Sequence, residues 1–214
     1  MVISIFFNSD PIKTILSDIK TREDAFDIIE LIENLSDDET RSIYNDNTIL
    51  LHACRYQCLD VVEHLIQYPH YARMDFVTKR GESPLIIACE QQNQYMCTTL
   101  LSQPDWCNLD QQTYNTKLNS LMICCNSGIT MQKIAKNILQ YPNRCGLLQR
   151  DDKNNTCLIL ACDNLLEEIA LFILNCCDLS VINAVNHKGK SALDIARVNQ
   201  MKLVVEKIQS LLNI

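Results

Sequence analysis

"PLIIAC", residues 84–89, is a short apolar run ending on an alanine and a cysteine. Close variants occur at 49–54 (ILLHAC), 120–125 (SLMICC), 157–162 (CLILAC) and 192–197 (ALDIAR). Aligning the alanine-like residue of each run gives Ala53, Ala88, Cys124, Ala161 and Ala196, spaced by 35, 36, 37 and 35 residues. A constant spacing of this size is the mark of a repeat architecture and takes precedence over any local motif. Five residues before each marker stands Thr48, Ser83, Asn119, Thr156 or Ser191. Their side-chain oxygens are of the type that accepts a hydrogen bond from the free amides of a first helical turn, so each opens a short helix.

The second half of the unit repeats too. In DVVEHLI (60–66), YMCTTLL (95–101), EIALFIL (168–174) and LVVEKIQ (203–209), apolar residues recur three and four apart. That is one face of an α-helix. Leu65, Leu100, Ile173 and Ile208 each fall twelve residues after their marker. The remaining copy, KIAKNIL (133–139), comes two residues late, so NSGITM (126–131) is expected to form a longer turn between its helices.

With helical pairs and connecting loops in place, the chain resembles the ankyrin-repeat family, whose unit reads roughly G-x-T-P-L-H-x-A-A, a turn, then V-V-x-x-L-L. GESPLIIACEQQNQYMCTTLL (81–101) and GKSALDIARVNQMKLVVEKI (189–208) carry the likeness most fully, and Asn183 to Gly189 repeat the N-A-x-x-x-x-G lead-in. The resemblance covers residues 45–212. It implies an all-α solenoid of stacked antiparallel helix pairs with hairpin-like loops, or fingers, projecting from one edge. On that reading residues 1–214 form one domain: an acidic helical cap at 1–44 and repeats at 45–77, 78–112, 113–150, 151–185 and 186–214.

The departures from the family pattern carry expectations of their own. Glycine is scarce, with four in the chain. Gly81 and Gly189 suit a left-handed finger turn and Asp46 and Asn154 tolerate one, whereas Lys117 fits poorly, so the third finger is expected to be irregular. The family's histidine is replaced by Leu51, Ile86, Met122, Ile159 and Asp194, which predicts apolar packing in place of polar bonding between neighbouring loops.

Twelve cysteines in a chain without a visible export signal read as reduced thiols, not as a disulfide framework. Cys54, Cys89, Cys125 and Cys162 hold one equivalent small-residue position. Helix packing at about 8–10 Å sets such equivalents too far apart for a disulfide or a shared metal, and they read as small hydrophobes. The rest lack zinc spacing, and the nearest histidines, His64 and His70, do not complete it. Cys107, Cys145, Cys176 and Cys177 lie in or near loops and are the candidates for a reactive thiol.

No metal or cofactor is therefore expected, and no enzyme. There is no P-loop, no G-x-G-x-x-G, no G-x-S-x-G and no H-E-x-x-H. His52, on an inner helix, reads as a packed or hydrogen-bonded residue, His64 as part of a solvated face, and Asp151 and Asp152 as exposed finger residues with nothing to part their pKa values.

The net charge of −7 is concentrated at one end. Residues 1–46 hold eleven Asp and Glu against four Lys and Arg, and residues 47–214 hold fifteen of each. Without a basic stripe, nucleic acid is an unsuitable partner. The acidic segment reads as a solvated helix face, or more sharply as a docking surface for a basic partner. VISIFF (2–7) is too short for a signal peptide or a membrane span, and no other stretch reaches spanning length, which points to a cytoplasmic chain.

A binding module is the reading that remains: an adaptor or competitive inhibitor of a protein partner, monomeric on its own and without a small-molecule substrate. The alternatives are a scaffold subunit of its own assembly or an enzyme of unrecognised type. The family resemblance implies contact through finger tips, Lys79, Arg80, Tyr114, Asn115, Asp151, Asp152, Lys153, His187 and Lys188. It also implies contact through inner-helix ends, Arg55, Tyr56, Glu90 and Gln91, with Asn126, Asp163, Asn164 and Asn199 further along. Trp106, the one tryptophan, is either an interface anchor or a plug over the outer helix. Scarce glycine beside abundant asparagine and isoleucine resembles chains of AT-rich genomes, large DNA viruses and intracellular bacteria among them, whose ankyrin proteins target host factors. Asn183 is a further candidate, for hydroxylation.

Overall fold

All five predicted caps close a helix. Thr48, Ser83, Asn119, Thr156 and Ser191 accept the amides of Leu51, Ile86, Met122, Ile159 and Asp194, three residues on in each case. The helices they open are Ile49–Tyr56, Pro84–Glu90, Ser120–Asn126, Cys157–Asp163 and Ala192–Val198. The computed structural model describes residues 11–21, 24–68 and 72–213. The apolar run at 2–7 and His70 lie outside them.

Each of these inner helices is followed by an outer one: Leu59–Leu65, Gln94–Leu100, Gln132–Leu139, Glu167–Cys176 and Lys202–Leu212. The late copy has its longer turn, a 3-10 helix at Gly128–Met131. Inner helices pack on inner helices and outer on outer, so the pairs stack in chain order into an all-α solenoid. Among the described residues there is no strand, only two isolated β-bridges, Tyr44 with Asn47 and Val185 with Ser191.

One hydrophobic core runs the length of the stack, because a single helix pair cannot bury both its faces and needs a neighbour on each side. The residues that seal the joints sit two before and one after each marker. They are Leu51 with Cys54, Ile86 with Cys89, Met122 with Cys125 and Ile159 with Cys162, all at most 1% exposed. In the last repeat the same two positions are Asp194 and Arg197, both charged, and that end of the stack presents charge where the others present apolar surface. Asp194 accepts both the amide and the hydroxyl proton of Ser191, which holds its carboxyl below the usual range.

At the other end, helices Pro11–Thr21 and Ala25–Glu33 form a pair that packs on the first repeat through Ile12, Ile15, Leu16, Ile19, Ile28 and Ile32. His52 ties the two together. Its Nε2 lies 2.9 Å from the Leu16 carbonyl, its ring leans on Tyr56 at 4.7 Å, and burial lowers its pKa. It is a packed, hydrogen-bonded residue. The outward side of this pair carries Asp24, Asp27, Glu30 and Glu33, all exposed.

Equivalent positions are not where sulfurs meet: Cys89 Sγ lies 3.7 Å from Cys97 of its own repeat and 3.7 Å from Cys124 of the next. The contacts run between non-equivalent positions, which inter-helix spacing of equivalents does not constrain. They are van der Waals or weak hydrogen-bond contacts, far longer than a disulfide at about 2 Å. Cys107 and Cys145, expected near solvent, are buried, while Cys176 and Cys177 are half-buried. Burial pushes Cys107 and Cys145 up to about 12, which keeps them protonated.

Candidate functional site: the finger tips and concave face

Each finger closes on a turn whose first residue bonds its last. The pairs are Tyr44 with Asn47, Thr78 with Glu82, Thr113 with Leu118, Asp151 with Asn155 and Asn186 with Lys190. The third is one residue longer than its neighbours, and Lys117 takes the left-handed conformation at φ 53°, so this finger is irregular as the misfit residue implies. The Gln112 side chain braces it by donating to the carbonyls of Lys117 and Arg150.

Four of these turns are capped from within by their own first side chain. Thr78 Oγ1 accepts the amides of Arg80 and Glu82, Thr113 Oγ1 that of Leu118, and Asn186 Oδ1 those of Lys188 and Lys190. Asp151 does the same for Lys153 and Asn155 at 2.9 and 2.7 Å and also accepts the Asn155 side-chain amide. It is 7% exposed. The expectation of an exposed tip acid at Asp151 is corrected: its carboxylate faces inward and holds the turn. The signal was present in the sequence as a Thr, Asp or Asn five or six residues before the helix cap.

The tips are also bonded to one another. The amide of Lys79 donates to Asp46 Oδ2, Tyr114 to the Arg80 carbonyl, Asp152 to Thr116 and His187 to Lys153, at 2.8 to 3.0 Å. Polar bonding between neighbouring loops therefore persists, contrary to the expectation, because backbone amides take over from the absent histidine. The side chains of Lys79, Arg80, Tyr114, Asn115, Asp152, Lys153, His187 and Lys188 remain exposed along this row.

Gly81 shows how close the row is packed. At φ 80° it sits where a Cβ would lie 2.5 Å from the Gln112 carbonyl oxygen and 2.9 Å from the Tyr114 amide.

At the inner-helix ends the candidates are bound to each other. Arg55 pairs with Glu82 at 2.9 Å, and the Gln91 amide donates to the Arg55 carbonyl at 2.8 Å. Arg55, Tyr56 and Gln91 are half-buried, and Glu90 is exposed. Burial, reinforced by the Glu82 charge, raises the Glu90 pKa, and Arg55 only partly offsets it. Asn199 bonds the Cys162 carbonyl and Asn164 the Leu160 carbonyl.

The concave face forms a groove between the last two fingers. This groove of ≈ 490 Å³ brings together the expected Asp151, Lys153, His187, Lys188, Asn126, Asp163 and Asn199. Arg55, Tyr56, Lys79, Arg80, Glu90 and Gln91 belong to the other end of the row and do not meet this group. The lining residues that sequence reasoning did not name as site candidates include Lys190 and Val198. Val198 stands two after its marker, in register with Arg55, Glu90, Asn126 and Asp163, and is 78% exposed. A register count would have found it.

A wider groove of ≈ 750 Å³ crosses the outer helices near Gln67, Gln94, Tyr95 and Lys133. Trp106 ends a 3-10 turn at Pro104–Trp106, which Arg144 of the next loop holds through Asp105 at 2.7 Å and the Pro104 carbonyl at 3.0 Å. Among the described residues no three His, Cys, Asp or Glu side chains gather as metal ligands, and no helix is long and apolar enough to cross a membrane.

Residues 20–113 match the family model for ankyrin repeats, in three copies. Residues 20–113 carry ankyrin repeats. The match begins inside the segment read as a cap, in accord with the helix pair seen there, and the unmatched helix pairs beyond residue 113 continue the same ankyrin solenoid. No curated protein matches the chain. Ankyrin repeats in general are protein–protein interaction modules, which implies a protein partner.

Proposed function

We propose that this ankyrin-repeat chain is a non-enzymatic binding module, an adaptor or competitive inhibitor that holds a protein partner across its finger tips and concave inner-helix face. The supporting observation is the row of finger turns bonded tip to tip by backbone amides. Backbone bonding fixes the tips without using the side chains of Lys79, Arg80, Tyr114, Asn115, Asp152, Lys153, His187 and Lys188. A contact surface held rigid before encounter loses little conformational entropy on binding. The inner-helix residues Arg55, Tyr56, Glu90 and Gln91 supply the adjoining wall, with Arg55 and Gln91 fixed by their own bonds. Asp151 acts by shaping its finger.

On this reading the chain works as a monomer in the cytoplasm, with no cofactor, nucleic acid or small-molecule substrate. Affinity capture from lysate is the test. It compares the native chain with a variant carrying Lys79→Ala, Arg80→Ala, Tyr114→Ala, Lys153→Ala and Lys188→Ala, with matched urea midpoints. A protein held by the native chain and lost by the variant supports the reading; identical captures place binding off this face and refute it.

A further inference from the structure

The charged side chains along the concave face are not equally free. Arg55 is paired with Glu82, Asp151 accepts three N–H bonds inside its turn, and Asp194 accepts two bonds from Ser191. In the groove between the last two fingers, Lys153, Lys188 and Lys190 are all exposed, and none forms an ion pair among the described residues. Asp163 is the one lining acid not engaged in this way. Asp152, on the same turn as Lys153, is not part of the groove wall.

Three apolar side chains share the groove with these lysines. Leu160 is 5% exposed, Ile195 is half-buried, and Val198 stands 78% exposed at the register position that is polar in the four preceding repeats. An exposed valine in one groove with three ammonium groups, of which Lys190 alone feels a lining acid, Asp194, is a surface with a definite complement. The complement is an apolar side chain flanked by carboxylates. Its lining comes from both the fourth finger and the fifth, which suits an extended segment.

We infer that this groove takes an extended acidic segment of a partner protein, one apolar side chain seated over Leu160, Ile195 and Val198 and its carboxylates paired with Lys153, Lys188 and Lys190. The inference rests on the binding-module reading and adds to it the place and the chemistry of the ligand. The lysines are unevenly shared: Lys153 comes from the fourth finger and Lys188 and Lys190 from the fifth, so a bound segment spans two repeats. His187, also exposed in the groove, extends the same donor row.

The test is selection from a random peptide library displayed on phage, with the full chain immobilised. Expected is enrichment of sequences with Asp or Glu on both sides of an aliphatic or aromatic residue. The best synthetic peptide should lose at least about tenfold in affinity with Lys153→Glu, Lys188→Glu and Lys190→Glu combined, and weaken as salt rises. Val198→Ser, at an exposed position and therefore harmless to folding, should cost severalfold in affinity. Lys79→Glu with Arg80→Glu, at the far end of the finger row, should leave affinity unchanged. Selection of neutral or basic peptides, selection of none, or binding indifferent to the triple reversal overturns the inference. Each of those results beside a successful lysate capture refutes the acidic ligand alone; loss of the capture result refutes the wider reading.

Discussion

The amide of Tyr114 donates to the carbonyl of Arg80 across 2.9 Å, joining the third finger to the second, and the residue that follows that carbonyl is Gly81. The bond needs the two backbones to approach to a distance that leaves no room for a Cβ at Gly81. Gly189 holds the same turn position in the last finger, at φ 68°, with nothing within 4 Å of where its Cβ would stand. Gly189→Ala should therefore cost only the left-handed strain, about 1 kcal/mol. Gly81→Ala carries the same strain and in addition forces two backbones apart, so a loss of about 3 kcal/mol is expected. Urea unfolding of the two variants checks the difference, which vanishes if the fingers are not bonded to one another.

The five helix caps are not equivalent either. Ser83 accepts one amide, whereas Asn119 accepts the Met122 amide at 2.8 Å and uses its own NH₂ on Gln149 Oε1 at 2.8 Å and on the carbonyls of Cys145 and Gly146. Ser83→Ala should cost about 1 kcal/mol, the usual value for a lost cap. Asn119→Ala leaves buried partners unsatisfied as well, and about 2–3 kcal/mol is expected. Equal losses in urea would mean that the asparagine's extra bonds contribute nothing net.

These two residues also show what could be read in the sequence. The period, the caps and the late outer helix of the third repeat were legible because they depend on bonds three residues long and on spacing counted from the markers. Asp151 was misplaced because nothing in its residue type distinguishes a carboxylate facing solvent from one folded over its own turn; only its recurrence with Thr78, Thr113 and Asn186 does. The spacing of equivalent positions covered Cys54, Cys89, Cys125 and Cys162 and said nothing of Cys124, which meets Cys89 because side chains from non-equivalent positions interdigitate in the core. Val198 was overlooked because an exposed valine looks unremarkable until it is set in register with Arg55, Glu90, Asn126 and Asp163.

Thiol reactivity should follow burial and ignore loop position. Burial holds Cys162 up at about 12 and Cys125 well above the ordinary thiol value, and it raises the half-buried Cys177 to about 11. Only a thiolate reacts, so alkylation of the folded chain at pH 8 should be slow everywhere and should reach Cys58, Cys176 and Cys177 first. The nine buried cysteines should be modified only at the rate of unfolding. Peptide mapping by mass spectrometry after timed iodoacetamide quenching checks the order; early labelling of Cys107 or Cys145 would contradict the packing of both loops.

Glu90 gives the stack a pH dependence with a defined sign. Its pKa is raised in the folded state, so the native protein binds the proton more tightly than the unfolded chain does. Stability contributed by this group therefore falls as pH rises from the ordinary glutamate value through the raised one, and the cost is present in full at neutral pH. Glu90→Gln removes the partly desolvated charge together with its repulsion from Glu82, and should raise the urea midpoint at pH 7 while leaving it unchanged at pH 3. The Arg55 to Glu82 pair is retained in this variant, so a lower midpoint at pH 7 would mean that the attraction between Glu90 and Arg55 outweighs the burial of the carboxylate. A double cycle with Glu82→Gln separates the two: if repulsion between the acids is the larger part, the gain from Glu90→Gln shrinks once Glu82 is neutral.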